Sequence, residues 1–194
     1  YAYNDLEFMN RCNKALLDEN PKLHIFGETW VHGIVNQAYF CENTMNIPYN
    51  SNLQATTDFQ TLFYGIVPAC NEKFGWTEGV NKLYTTLASD LIYRDPLRQV
   101  IFLDNHDIAR FYSVVNEDTS KYKMAFGWLL TCRGIPQMYY GNEVLMTGFT
   151  SPSDGYVRQD FPGGWDGDKE DKFTAAGRST KENSIFNYIR RLAN

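Results

Sequence analysis

Short apolar runs alternate with helical patterns along this 194-residue sequence, and this alternation is the feature that most constrains its fold. Each apolar run stops at polar residues and is followed by a segment with the apolar spacing of a helix. Parallel strands connected by helices produce this pattern, with the helices covering the faces of the sheet. The chain is therefore predicted to be α/β, either doubly wound or closed as a barrel, with functional residues at the carboxyl ends of its strands.

The individual elements follow from local spacing. A helix is predicted at residues 5–19, opened by the capping-box pair Asn4 and Glu7 and ended by Asn20–Pro21. The later elements are strands at 23–26, 53–59, 100–103 and 135–140, a helix with the face Val80, Leu83, Tyr84, Leu87 and Leu91, a helix at 120–132 with Met124, Phe126, Trp128 and Leu129, and a last helix with Ile185, Phe186, Ile189 and Leu192. A Gly- and Asp-rich stretch predicts a long loop at about 144–178 within one domain spanning residues 1–194.

Composition excludes several function classes. The net charge of -5 and the absence of a basic run argue against a nucleic-acid partner. No apolar run is long enough for a membrane span, and no phosphate-binding glycine loop follows any strand. Aromatic residues make up 15% of the chain, which favours ring-stacking surfaces such as sugar sites.

Cysteines and acidic motifs give no indication of a metal or cofactor. Four cysteines lie far apart among apolar residues, which predicts buried free thiols: Cys12, Cys41, Cys70 and Cys132. The pair His106–Asp107 lacks the further His and Asp ligands of a metal site. The acidic run 166–171 has Asp171 where a calcium loop needs glycine, so we expect a solvated loop there.

Two carboxylates are predicted at one rim of the sheet. Glu28 and Asp107 each follow a buried strand, and the carboxyl ends of parallel strands lie at the same edge. Glycoside hydrolysis needs one protonated carboxyl for the leaving oxygen and negative charge near the anomeric carbon. A single strand-end carboxylate can equally cap a helix or pair with arginine, so the flanking residues decide between these readings.

Three motifs flank these carboxylates and the last strand. They are Gly27-Glu28-Thr29-Trp30, the run Phe102 to Asp107, and the run Gly134 to Glu143. Together they resemble motifs of the α-amylase family of retaining glycosidases, in that family's order and over essentially the whole chain. The stretch Arg158 to Trp165 resembles bacterial neopullulanases and cyclomaltodextrinases of starch utilisation in particular.

The resemblance implies a partial (β/α)8 barrel that comprises the helix after strand 4 and the strand-helix units 5 to 8. It implies Glu28 as the general acid/base and Asp107 as the carboxylate that stabilises the transition state. His106 would donate a hydrogen bond to a sugar hydroxyl, and Asn105 would help to orient these groups. The family's nucleophile, an aspartate of an Arg-x-Asp motif at the end of strand 4, matches no residue here, so we expect the isolated chain to be inactive.

Further residues are expected to contact substrate or to support the rim. Trp30 and His32 lie in the loop after Glu28 and could stack on or bond to glucose rings, as could Tyr39. Arg158 is expected to border the cleft from the long loop, with Asp160 beside it. Tyr139 and Tyr140 are predicted to be core residues, and Glu143 a structural carboxylate.

The expected partners are an α-glucan or maltooligosaccharide and the missing N-terminal half of the barrel. Open sheet edges also make a homodimer plausible. The resemblance implies a periplasmic or extracellular location and α-1,4 or also α-1,6 cleavage. A transglycosylase of the same family, a non-catalytic carbohydrate-binding half-barrel and an unrelated flavodoxin-like domain stay open as alternatives.

Overall fold

The computed structural model describes residues 5–194, which form two compact units. The first unit contains residues 5–101 together with Arg133–Gln137, and the second contains Phe102–Cys132 and Met138–Asn194. Nearly all of the paired strand residues belong to the first unit. The second unit is built mainly from helices and the long loop.

The predicted strands and helices are present in the predicted order, and the described residues also form four short helices that were not predicted. The strands are β1 Phe26–Gly27, β2 Ala55–Thr56, β3 Val100–Phe102 and β4 Ile135–Gln137. The helices are α1 Leu6–Glu19, α2 Ile34–Tyr39, α3 Phe59–Thr61, α4 Val67–Asn71, α5 Val80–Ala88, α6 Phe111–Val114, α7 Thr119–Thr131 and α8 Thr180–Ala193. A π-turn, Leu62–Ile66, joins α3 to α4. Short 3₁₀ turns lie at Ser89–Ile92, Pro96–Arg98, Asn142–Val144 and Asp154–Val157.

Strand pairing follows the order of the chain. β1 and β2 are parallel, with Phe26 opposite Ala55. An isolated parallel bridge joins Thr57 to Val100, and β3 pairs with β4. Successive neighbours in chain order are what consecutive strand-helix units of a barrel produce.

The strands are shorter than predicted because side chains replace part of the ladder. The Ile25 N–H donates to the Gln54 side chain at 2.8 Å, so β1 begins only at Phe26. The Thr56 N–H donates to the Gln99 side chain at 3.1 Å, which limits β2 in the same way. Apolar periodicity does not reveal such side-chain acceptors.

Two predicted helix faces are partly wrong. In α5, Tyr84 is 64% exposed, and Leu91 lies beyond the helix in a 3₁₀ turn and is 79% exposed. Met124 of α7 is 53% exposed, whereas Tyr122 and Phe126 are buried. Since α5 ends at Ala88, the tighter turn after it breaks the register that the sequence pattern assumed.

The helix ends also differ from their predictions. Asp5 caps α1, and its carboxylate accepts from the Phe8 N–H at 2.8 Å. The predicted cap Asn4 lies outside the described residues. A reciprocal capping box between Ser179 and Glu182 opens α8, and the sequence analysis did not identify it.

Burial agrees with the sequence for some candidate core residues only. None of the four cysteines forms a disulfide, as predicted; Cys41 and Cys70 are buried, whereas Cys12 and Cys132, also predicted to be buried, are half-buried. Burial raises the pKa of the Cys41 thiol to about 12. The assignment of Tyr140 to the core is wrong, because this side chain is 38% exposed and its hydroxyl donates to the Gln159 carbonyl.

Candidate active site

Glu28 follows β1 directly, at the carboxyl end of the strand, as the sequence predicts. The neighbouring Gly27 carbonyl accepts from the Thr57 N–H at 3.0 Å, which ties this strand end to the chain beyond β2. Thr29 is fully buried, and Glu28 itself is half-buried. Among the described residues, Glu28 makes no hydrogen bond or ion pair.

The loop after Glu28 forms one wall of a cavity of about 180 Å³. The indole of Trp30 is 42% exposed and lies 4.2 Å from the ring centroid of Phe59. The His32 Nδ1 lies 3.1 Å from the Tyr64 hydroxyl. The structure therefore brings both predicted sugar contacts, Trp30 and His32, to one cavity beside the Glu28 loop.

Buried Gln60 fixes this loop and was not identified from the sequence. Its side-chain amide donates to the Val31 carbonyl at 2.6 Å and accepts from the Gly33 N–H at 2.8 Å. Gln60 lies on α3, and Tyr64 lies in the π-turn that follows it. Tyr64 lies in a π-helical turn, whose repeat is wider than that of an α-helix. The α-helical spacing of the sequence therefore did not predict that Tyr64 would contact His32.

Asp58, the remaining strand-end carboxylate of the first unit, is committed to a buried network. It is 1% exposed, caps α3 through the Thr61 N–H at 2.9 Å, and accepts from Arg133 Nη1 at 2.8 Å. Arg133 also binds Asp90 with two nitrogens, at 2.8 Å and 2.6 Å. Burial opposes the charge of Arg133, but these hydrogen bonds and charges dominate and raise its pKa. Asp58 is therefore a structural anchor rather than a candidate nucleophile.

Asp107 lies in a polar cluster of the second unit, in the segment that follows β3. Its Oδ1 accepts from Arg158 Nη2 at 2.7 Å, and its Oδ2 lies 3.3 Å from His106 Nε2. Arg158 also donates from Nε to the His106 carbonyl at 2.7 Å and contacts Asp154 at 3.2 Å. The structure thus brings together three residues that the sequence analysis placed at the site: His106, Asp107 and Arg158.

Asn105 bonds to the backbone of this cluster. It is 7% exposed, and its side-chain oxygen accepts from the Asp107 N–H at 2.9 Å. This bond fixes the turn that presents His106 and Asp107. The predicted orienting role of Asn105 is consistent with this contact.

Asp104 and Arg110 are fully buried charged residues of the same unit. The Asp104 carboxylate accepts from the Phe111 N–H at 2.7 Å and from the Asn142 side chain at 2.8 Å. Burial raises the pKa of Asp104 to about 6, although those two bonds and the nearby Arg110 charge oppose the rise. The Arg110 guanidinium lies over the ring of Tyr139 at 4.1 Å and donates to the Tyr140 carbonyl. The sequence motifs indicated no role for Asp104 or Arg110, although the first lies in the run Phe102 to Asp107 and the second three residues after it.

The predicted site residues are divided between the two units. Glu28, Trp30 and His32 lie in the first unit, and the Asp107 cluster lies in the second. Tyr39 is 37% exposed and stacks edge-on against Phe40 rather than lining the cavity.

Neither a metal cluster nor a membrane helix is found in the described part of the chain. No group of three or more His, Cys, Asp or Glu side chains within residues 5–194 could hold a metal ion. Within the same range, no helix has both the length and the apolar character needed to cross a bilayer.

Comparison with known proteins identifies the family. The model of the α-amylase catalytic domain matches residues 2–190. This chain therefore belongs to the α-amylase catalytic domain family.

The regions that match this chain are only parts of longer proteins. A cyclomaltodextrin glucanotransferase of Geobacillus stearothermophilus is 41% identical over 83 residues, which are 43% of this chain and 11% of that protein. The acarbose-complexed α-amylase of Geobacillus thermoleovorans aligns with a TM-score of 0.71 at 21% identity, covering 97% of this chain and 37% of that one. A γ-cyclomaltodextrin glucanotransferase from alkalophilic Bacillus clarkii aligns with a TM-score of 0.67 at 28% identity, covering 95% and 23%. The chain thus spans well under half of these proteins, and the expected partial (β/α)8 barrel is confirmed.

Proposed function

We propose that this chain supplies the acid/base side of an α-glucan-processing active site in a longer retaining enzyme. The observation that carries this proposal is the state of Glu28. It is half-buried at a strand end, beside an aromatic cavity, and free of the bonds that commit Asp58, Asp104 and Asp107. A carboxyl that must give and take a proton needs an uncommitted position within reach of substrate.

Glu28 would act as general acid and then as general base. In the first step its proton passes to the glycosidic oxygen as the bond to the anomeric carbon breaks, while the nucleophilic aspartate proposed outside this sequence bonds to that carbon and gives the glycosyl-enzyme intermediate. In the second step Glu28 removes a proton from water or from a sugar hydroxyl, which attacks the glycosyl-enzyme intermediate. Trp30 would stack on the sugar ring at the leaving-group side, and His32 would bond to its hydroxyls.

Asp107 would bind sugar hydroxyls and stabilise positive charge on the ring. Arg158 and His106 hold its two oxygens in fixed directions, while Asn105 holds its backbone. A carboxylate oriented before substrate arrives costs little reorganisation in the transition state. Arg158 would therefore contribute to binding mainly through Asp107.

The nucleophile is proposed to lie in residues outside this sequence. Family resemblance assigns that role to an aspartate with no counterpart here, and solved relatives contain much more chain than the part that aligns. We therefore propose that the isolated 194 residues do not complete the reaction and that they pair with the rest of their barrel. Dimerisation of the isolated chain is a further expectation.

Within the family, we propose a neopullulanase-like hydrolase that cleaves α-1,4 and also α-1,6 bonds in a periplasmic or extracellular location. The support is the resemblance of the stretch from Arg158 to Trp165. A transglycosylase is the second candidate, favoured by the identity to a cyclomaltodextrin glucanotransferase. Product analysis with maltoheptaose separates the two, because transglycosylation yields cyclic or longer glucans.

The role of Glu28 can be tested in the parent enzyme with Glu28→Ala. A sugar with a leaving group that needs no protonation should still react in the first step, whereas maltoheptaose hydrolysis should fall roughly 10²- to 10⁴-fold. Azide needs no general base, so it should restore turnover of the activated substrate and give a glycosyl azide.

Glu7→Ala is the control, since Glu7 is an exposed carboxylate paired with Arg11 on α1. It should leave both rates unchanged. Equal losses on both substrates in Glu28→Ala, without azide rescue, would show that Glu28 is not the acid/base.

A further inference from the structure

A tryptophan outside the candidate site is almost fully exposed. Trp76 is 94% exposed and lies in the loop 72–79 between α4 and α5. An exposed indole offers a large flat apolar face on which a sugar ring can stack.

The loop that carries Trp76 is held by hydrogen bonds. The Asn81 side chain donates to the Gly75 carbonyl at 2.6 Å and to the Trp76 carbonyl at 3.3 Å. Glu72 accepts from the Gly79 N–H at 3.0 Å and forms an ion pair with Lys82 at 2.6 Å. The backbone beneath the indole is therefore fixed, and the ring is presented from a defined position.

Trp76 lines a groove of about 500 Å³ in the first unit. Ile34 and Tyr64 supply apolar walls, and Gln60, Thr85 and Thr86 supply amide and hydroxyl groups. Lys82 lines the groove as well, but its charge is paired with Glu72. Apolar walls with neutral polar groups suit an uncharged ligand that has both ring faces and hydroxyls.

The groove continues into the cavity beside Glu28. Gln60 and Tyr64 line both spaces. The Tyr64 hydroxyl contacts His32 on the cavity side, and the Tyr64 carbonyl lies 3.4 Å from the Thr86 hydroxyl on the groove side. A chain molecule bound at Trp30 and His32 therefore has a lined path past Tyr64 toward Trp76.

We propose that this groove binds additional glucosyl residues of a long α-glucan, with Trp76 as the distal stacking residue. The inference rests on the proposed function, because it extends the same bound chain beyond the Glu28 loop. It predicts that affinity depends on chain length: short oligosaccharides occupy the cavity only, and longer ones also reach Trp76.

The test is calorimetric titration of the 194-residue chain with maltotriose and with maltoheptaose. Trp76→Ala should weaken maltoheptaose binding roughly three- to ten-fold and leave maltotriose binding unchanged, as expected for the loss of one ring stack. Trp76→Phe should recover most of the affinity. Phe74→Ala is the matched control, since Phe74 is 78% exposed in the same loop and lines neither space.

Three outcomes would overturn the inference. Maltoheptaose affinity that is lost in Trp30→Ala but unchanged in Trp76→Ala would exclude the groove and leave the proposed function intact. The absence of maltoheptaose binding to the unmodified chain would also refute the inference about the groove. The role of Glu28 would still be decided separately, by the azide experiment on Glu28→Ala. A dimer that dissociates in Trp76→Ala during sedimentation would show that the groove binds a second copy instead.

Discussion

Arg133 neutralises the buried carboxylate of Asp58 in the first unit. It is 12% exposed at the side chain and neutralises Asp58, which is 1% exposed, together with Asp90. Removing one partner from such a pair leaves an uncompensated buried charge, which costs more than the pair itself contributes.

We therefore expect Arg133→Met to lower the free energy of unfolding by about 3–5 kcal/mol in urea titrations. Arg98→Met is the control, because Arg98 pairs with Asp95 at 3.3 Å on the surface with both side chains more than 40% exposed. It should change stability by less than about 0.5 kcal/mol. Equal effects of the two variants would contradict the buried-anchor role of Asp58.

Asp104 is expected to make stability depend on pH. Its pKa is about 6 in the fold against an ordinary value of 3.8. The folded chain therefore holds the proton more firmly than the unfolded chain does between these values. The stabilisation is fully present below about pH 4 and is lost as pH rises through about 6, with a total on the order of 3 kcal/mol.

Asp104→Asn cannot titrate, so its stability relative to the unmodified chain should rise between pH 4 and pH 7. Urea midpoints measured across this pH range provide the test. The change of the midpoint with pH is compared rather than its absolute value, because the substitution also perturbs the bond to the Phe111 N–H at every pH. Asp95→Asn, which makes the same change at an exposed carboxylate, is the matched surface control. Parallel curves for Asp104→Asn and the unmodified chain would contradict the prediction.

At the scale of elements, the pairing of β4 depends on Gly134. This residue has φ +107°, and a Cβ there would lie 2.7 Å from the Gln99 carbonyl oxygen. That same carbonyl accepts from the Ile135 N–H at 2.8 Å, so the close approach is part of how β4 joins the sheet.

Gly134→Ala should therefore destabilise the chain by about 2 kcal/mol or more, since it combines backbone strain with a backbone clash. Gly155→Ala is the control, because the nearest atom to its Cβ would be a serine oxygen at 3.5 Å and its φ is not positive. Denaturation monitored by circular dichroism measures both. Similar midpoints for the two variants would show that Gly134 is not required for this pairing.

Element order was predictable from sequence, whereas boundaries and some faces were not. Buried strands such as β3 have a strong local signal because apolar side chains must leave water in any fold. The start of β1 depends on Gln54, and the site loop depends on Gln60, both through side-chain bonds between distant residues. Such contacts form only after folding, so local spacing carries no information about them.

The candidate site was predictable to a similar extent. Motifs placed Glu28 and Asp107 after their strands, and the geometry agrees with both placements. Arg158 was predicted only to border the cleft from the long loop, and its bond to Asp107 was not predicted. The ion pair between Asp58 and Arg133 could not be predicted from local spacing, because the two residues are 75 positions apart. Tyr64 was missed because it lies in a π-turn.

At the scale of the whole molecule, the chain is part of a catalytic barrel whose relatives are considerably longer. In the first unit Glu28 lies beside an aromatic cavity, and in the second unit Asp107 bonds to an arginine and lies beside a histidine. We propose that both carboxylates act on sugar. Our central claim is that these groups process α-glucans only together with a nucleophile outside this sequence.

The most direct measurement is the release of reducing sugar from maltoheptaose and pullulan by the 194-residue chain, alone and combined with the rest of its catalytic barrel. Glu28→Gln serves as the control in both arms. We expect activity only in the combined sample, reduced roughly 10²- to 10⁴-fold by Glu28→Gln. Glu28-dependent release by the chain alone, or an undiminished rate for Glu28→Gln in the combined sample, would contradict the claim.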